Sequence, residues 1–201
     1  MGYRDNWLNH AGAVAVHSEA TLHAIDRAIP LRPLAMLLIG IGNGGAVEVW
    51  RATLPNGSTV TAMDGNPEAA NLPGIGAIIC DPTNRDATRQ ALRGNWFDVV
   101  IDSTGTMQPY VWPFLRAGGI YIYEGYNPDM MLMLIRDLSL GADSWLPIEE
   151  VMRVDVYHSC AVIEKRNPQV VPYLEVVTGN YADVIPESVY YGRGAKRVIP
   201  A

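Results

Sequence analysis

At 201 residues, 49% of them apolar, the chain is long enough for one domain with a substantial core and too short to add a second catalytic domain. A formal net charge of −6 and a pI near 5.1, without any lysine- or arginine-rich stripe, argue against a nucleic-acid footprint and for small-molecule partners. No stretch reaches the ~18 apolar residues of a membrane span, the opening residues lack an apolar leader, and Cys80 and Cys160 lie in apolar contexts without CxxC spacing, so a cytoplasmic protein with reduced, buried thiols is expected.

In chain order, residues 11–29 carry apolar side chains at helical spacing (Val14, Leu22, Ile25, Ile29), and Pro30 and Pro33 close that segment. Its histidines share no ligand geometry: His17 and His23 fall on different sides of a helix, and His10 lies before it. Residues 34–39 are six consecutive apolar residues between Pro33 and Gly40, the pattern of a strand buried on both faces. Gly40, Gly42, Gly44 and Gly45 follow at once, and then a helix with Ala46, Val47, Val49, Trp50 and Leu54 on its apolar side, ended by Pro55-Asn56-Gly57.

Residues 58–63 read as a second strand ending at Asp64-Gly65, residues 77–80 as a third ending at Asp81-Pro82, and a helix over 84–93 is closed by Gly94. Val99, Val100 and Ile101 mark a central strand that ends at Asp102-Ser103. A helix over 107–115, interrupted by Pro109 and Pro113, leads through Ala117-Gly118-Gly119 into a strand over 120–123 that ends at Glu124. Asn127-Pro128 then starts a helix that is apolar nearly all round. Residues 151–157 and 160–165 are strands joined only by His158-Ser159, too short for a parallel crossover, so they form an antiparallel hairpin. The expected organisation is a helical segment over 1–33, a three-layer α/β/α Rossmann-like domain over 34–166, and an extension over 167–201 packed on the same domain.

Alternating strands and helices imply a parallel sheet with its ligand crevice at the carboxyl ends, where Gly40, Asp64, Asp81, Asp102 and Glu124 gather. Gly40-x-Gly42-x-x-Gly45 satisfies the dinucleotide fingerprint, with Asp64 lying 20 residues beyond Gly44 where an acid would hold a ribose hydroxyl. Gly40-x-Gly42-x-Gly44 satisfies the loop of S-adenosylmethionine (SAM) methyltransferases equally well. The loop by itself leaves both open, together with a tight turn that binds nothing.

Five βα units followed by an antiparallel hairpin resemble the class I SAM-dependent methyltransferases over roughly residues 34–166. Within that class, Leu38-Ile-Gly-Ile-Gly-Asn-Gly-Gly-Ala-Val-Glu-Val-Trp50, Phe97-Asp-Val-Val-Ile-Asp102, Leu115-Arg-Ala-Gly-Gly-Ile-Tyr-Ile-Tyr-Glu124 and Tyr157-His-Ser-Cys-Ala-Val-Ile-Glu-Lys165 are similar to the macrolide-sugar O-methyltransferase and cephalosporin-hydroxylase-like group. The resemblance implies a mostly parallel seven-stranded sheet with a C-terminal antiparallel hairpin and SAM as cofactor. It places Gly40, Gly42, Asn43 and Gly44 at the methionine end, Asp64 and Gly65 at the ribose with Asp64 on both hydroxyls, Asp81 and Pro82 at the adenine, and Asp102 and Ser103 at the donor site. Two departures stand out. Leu38 occupies the position where the class usually carries an acid, and Ser103, Thr106 and Gly125 stand where metal-dependent relatives carry further ligands, so no metal is expected.

The activity so implied is methylation of a small-molecule oxygen or nitrogen, with Glu124, Tyr126 and His158 as the groups able to take a proton. Two other readings remain: a SAM-fold protein without methyl transfer or with another SAM reaction, and an NAD(P)-dependent oxidoreductase. The apolar helix after Asn127 and the short apolar pieces of the tail point to association with a second copy.

Overall fold

The computed structural model describes residues 19–104, 109–124, 147–157, 160–167, 174–178 and 189–191. Helix α1 (Glu19–Ala28) leads into β1 (Ala35–Ile39), α2 (Gly45–Thr53), β2 (Thr59–Asp64), β3 (Ile78–Ile79), α3 (Arg85–Ala91), β4 (Phe97–Asp102) and β5 (Leu115–Glu124). Four further strands follow: β6 (Val151–Val156), β7 (Cys160–Lys165), β8 (Leu174–Thr178) and β9 (Val189–Tyr191). The strands form one sheet in the order β3-β2-β1-β4-β5-β7-β6-β8-β9.

From β3 to β5 every pairing is parallel, whereas β7 runs antiparallel between β5 and β6. This is the expected seven-stranded arrangement. Strands β8 and β9 come from the expected 167–201 extension, β8 pairing parallel with β6 and antiparallel with β9.

Strands β1 and β4 are buried on both faces, which explains their near-continuous apolar runs. On one face Met36, Leu38, Val99 and Ile101 pack beneath α1 and α2, whose Ile25, Val47 and Trp50 are fully buried. On the other, Leu37, Ile39, Val100 and Tyr121 pack with Leu92 and Trp112. Helix α1 is the described part of the segment expected over 11–29. Cys80 and Cys160 are both buried free thiols. No described helix is long and apolar enough to cross a membrane.

Three expectations are corrected. In place of a helix over 107–115 the described residues Pro109–Phe114 form a 3-10 turn, because Pro113 has no N–H and its ring obstructs an α-helical ladder. Strand β5 begins at Leu115 rather than Ile120, with a bulge: Leu115 pairs with Phe97 and Ile120 with Val99, so residues 116–119 loop out opposite Asp98. The third strand shrinks to Ile78–Ile79, since it lies at the sheet edge and finds partners only in Met63 and Asp64. The apolar helix expected after Asn127 lies outside the described residues, as do His10 and His17.

The bulge has a clamp. Asp98, 8% exposed, accepts the Ala35 amide at 2.8 Å, Arg116 Nη1 at 2.7 Å and Arg32 Nη2 at 3.2 Å. One carboxylate thereby ties β1, β4 and the bulge of β5 together at the amino-terminal edge of the sheet. Burial acts to raise the Asp98 carboxyl, but the Ala35 amide and the two guanidinium groups outweigh it and hold it below the usual carboxylate range.

Candidate active site

The loops that follow β1, β2, β3, β4 and β5 leave the same edge of the sheet, and the glycines after β1 are its centre. Gly40, Gly42 and Gly44 have φ of 75°, 53° and 82°, values open to glycine at little cost. Their surroundings differ. A Cβ on Gly40 would lie 3.1 Å from Thr104 Cγ2, and one on Gly44 would lie 3.1 Å from Ile75 Cγ1 and 3.2 Å from Leu72 Cδ1. A Cβ on Gly42 would meet nothing within 4 Å. Gly40 and Gly44 are therefore glycines because protein packs against them, and Gly42 is where the turn faces open space. Asn43 stabilises the exit of the turn, its Oδ1 accepting the Gly45 amide at 3.1 Å at the start of α2.

The wall over Gly44 is held by α2 itself. Arg51, on the outer face of that helix, donates to the carbonyl oxygens of Gly74 and Ile75 at 2.8 and 2.9 Å, fixing the segment after β2 above the glycine turn.

Asp64 closes the turn from the other side. Its Oδ2 accepts the amides of Ile41 and Gly42 at 2.9 and 3.3 Å, and its Oδ1 accepts the Asn66 amide at 2.8 Å. A carboxylate offers about four acceptor positions, so one remains on Oδ1. That is room for a single ribose hydroxyl, short of the two expected of it. Gly65 lies beside the end of β3, where a Cβ on it would be 3.8 Å from both Asp81 Cα and Pro82 Cδ.

Three strand ends repeat one device. Asp64, Asp81 and Asp102 each accept the backbone amide two residues on, from Asn66, Thr83 and Thr104, at 2.8, 2.9 and 3.0 Å. Each acid thus makes an Asx turn that ends its strand. The signal was present as Asp-x-Asn and Asp-x-Thr, and spacing alone could have found it. Thr83 Oγ1 also donates to Asp81 at 2.7 Å, and the two Thr83 hydrogen bonds hold the exposed Asp81 carboxyl below its ordinary range.

Asp102 is fully buried and turned back into the fold. Oδ1 takes the Thr104 amide and, at 2.7 Å, the Thr104 hydroxyl, while Oδ2 takes the Tyr121 hydroxyl of the neighbouring strand. The resemblance puts Asp102 at the donor site; in the structure its carboxylate is bonded to Thr104 and Tyr121. Burial, with the nearby Asp102 charge, raises the Tyr123 hydroxyl above the ordinary tyrosine range. Ser103 is exposed; its amide donates to the Ile39 carbonyl at 3.0 Å and its hydroxyl to Glu124 Oε2 at 2.7 Å. Glu124 is 6% exposed. Tyr126 and His158 lie outside the described residues.

No group of three or more His, Cys, Asp or Glu that could hold a metal occurs among the described residues. The donor set there fits a hard divalent ion poorly, since Asp102 is engaged by three donors and Ser103 occupies one oxygen of Glu124. Leu38 is 3% exposed in the core beneath α2, so no carboxylate enters the crevice from that position.

No protein-family model and no curated protein matches this chain. Solved structures do. The MycE methyltransferase of the mycinamycin biosynthetic pathway, in complex with Mg, S-adenosylhomocysteine (SAH) and mycinamycin VI, superposes with a TM-score of 0.64 at 17% identity, over 83% of this chain and 54% of that one. The fold is shared with that methyltransferase. A second MycE structure, with Mg and SAH, gives a TM-score of 0.52 at 21% identity over 77% of this chain and 48% of that one. The present chain spans about half the length of the MycE chain it matches.

Proposed function

We propose that this chain binds SAM at the carboxyl edge of its sheet and transfers the methyl group to a small-molecule oxygen or nitrogen without a metal ion. The observation that carries the reading is the glycine turn: Asp64 ties down the Ile41 and Gly42 amides while Gly42 itself faces open space. The antiparallel β7 between β5 and β6 supports a methyltransferase over an NAD(P) enzyme, whose doubly wound sheet has the parallel order 3-2-1-4-5-6. MycE, of the same fold, binds SAH in its crystals.

The residues fit the cofactor. Gly42 admits the methionine end, the remaining acceptor position of Asp64 takes one ribose hydroxyl, and Gly65, Asp81 and Pro82 border the adenine. When bound, SAM supplies a methyl group on a sulfonium for in-line displacement, so this chain has to position donor and acceptor and remove the acceptor proton. Glu124, oriented by the Ser103 hydroxyl, is the described residue suited to accept that proton; Asp102, locked by Thr104 and Tyr121, supports the end of β4 and does no chemistry.

Isothermal titration calorimetry with SAH, SAM, NAD and NADP side by side tests the reading. SAH and SAM bind and the nicotinamide nucleotides do not compete; tighter binding of NAD than of SAH overturns it.

A further inference from the structure

The other end of the sheet holds a second concavity, unrelated to the glycine turn. A groove of about 830 Å³ opens where β4 and β5 begin and the antiparallel β7 ends. Across β4 alone, six residues at about 3.3 Å each separate it from the carboxyl edge by nearly 20 Å. Its volume falls in the usual range of small-molecule pockets, about 300–1,000 Å³.

Its lining has an apolar part and a charged part. Trp96 and Trp112 contribute indole rings and Pro109 and Pro113 saturated apolar rings, and Trp96 is 56% exposed, the most exposed aromatic side chain among the described residues. Of the cations, Arg116 is bound to Asp98 at 2.7 Å, while Lys165 lies 3.2 Å from Glu150 and 5.3 Å from the Trp112 ring centroid. Arg166 differs. Its Nε is buried without a hydrogen-bond partner among the described residues. Arg166 lines the groove and makes no ion pair with a described carboxylate, so its permanently charged guanidinium is the cation there that an acceptor oxygen would meet.

We propose that this groove is a second binding site, for a flat aromatic molecule bearing a single carboxylate. The carboxylate pairs with Arg166 and the ring stacks on Trp96. Glu149 and Glu150 also line the groove; they disfavour polyanions such as nucleotides and make a monoanion the better match. The site is independent of the proposed cofactor crevice.

The test uses 2-naphthoate as probe, titrated calorimetrically into the full chain, with 2-naphthalenemethanol as its uncharged counterpart. Saturable one-site binding is expected, weakened about tenfold by Arg166→Gln or by loss of the carboxylate, and about fivefold by Trp96→Ala. It should be unchanged in Asp64→Ala and not displaced by SAH. Absence of saturable binding, equal affinity for the alcohol, displacement by SAH, or undiminished binding to Trp96→Ala overturns the proposal. Trp96 is exposed, so that variant remains decisive even where Arg166→Gln fails to fold.

Discussion

Asp64 Oδ2 accepts the Ile41 amide at 2.9 Å, so the acid at the end of β2 holds the turn at the end of β1. The same carboxylate therefore shapes the loop and faces the space a ligand would fill. Replacing Asp64 with Ala should weaken SAH binding by roughly 1.5–3 kcal/mol, or about 10- to 150-fold in Kd, as for a lost hydrogen bond to a charged group. Calorimetry checks this, and an unchanged Kd would remove Asp64 from the site.

The glycines of the turn should respond unequally. Gly40→Ala meets both a φ of 75° and Thr104 Cγ2 at 3.1 Å, whereas Gly42→Ala meets only its φ of 53°. We expect Gly40→Ala to cost about 2–3 kcal/mol of stability and Gly42→Ala about 1 kcal/mol, the latter showing instead as weakened SAH binding. Urea unfolding of both variants, with SAH titrations, separates packing from ligand approach; equal losses of stability would contradict it.

Asp98 supplies a pH dependence of stability, not of binding. Its carboxyl is depressed in the folded state, so its contribution is present above the unfolded value near 3.8 and is lost as pH falls through the lower folded value. Asp98→Ala should lower stability by about 1–3 kcal/mol at pH 7, a range set between exposed and fully buried pairs because Arg32 and Arg116 are half exposed. The gap between variant and parent should narrow below about pH 4 as Asp98 protonates. A gap that widens with acid would mean the clamp carries no charge–charge stabilisation.

Methyl transfer should survive chelation. Asp102 is engaged by Thr104 and Tyr121, so EDTA should leave turnover unchanged, and Asp102→Asn should lower thermal stability without creating a metal requirement. Loss of turnover with EDTA and its recovery with magnesium would reverse this assignment.

Association with a second copy is also expected, on the strength of the apolar helix read from the sequence after Asn127. Light scattering should give a mass above 22.0 kDa that persists on tenfold dilution in the micromolar range. A mass of one chain, unchanged on concentration, would refute it.

What the sequence alone determined was the succession of elements and the edge at which the glycines and acids gather. Both faces of β1 and β4 are buried, so their side chains had to be apolar without alternation, and a two-residue link before Cys160 could only make an antiparallel pair. The acids at the strand ends were visible too, but not what they do. Asp102 and Glu124 look alike in sequence; only the register that sets Tyr121 beside Val100 and Tyr123 beside Asp102 turns one carboxylate into the fold, while Ser103 reaches the other at the crevice. The Asp98 clamp depends on a bulge that brings Arg116 back across β4, and the groove by Trp96 depends on an antiparallel strand delivering Arg166 to that edge. Those partners are far apart along the chain, and no local periodicity encodes which side chains tertiary packing sets within hydrogen-bonding distance.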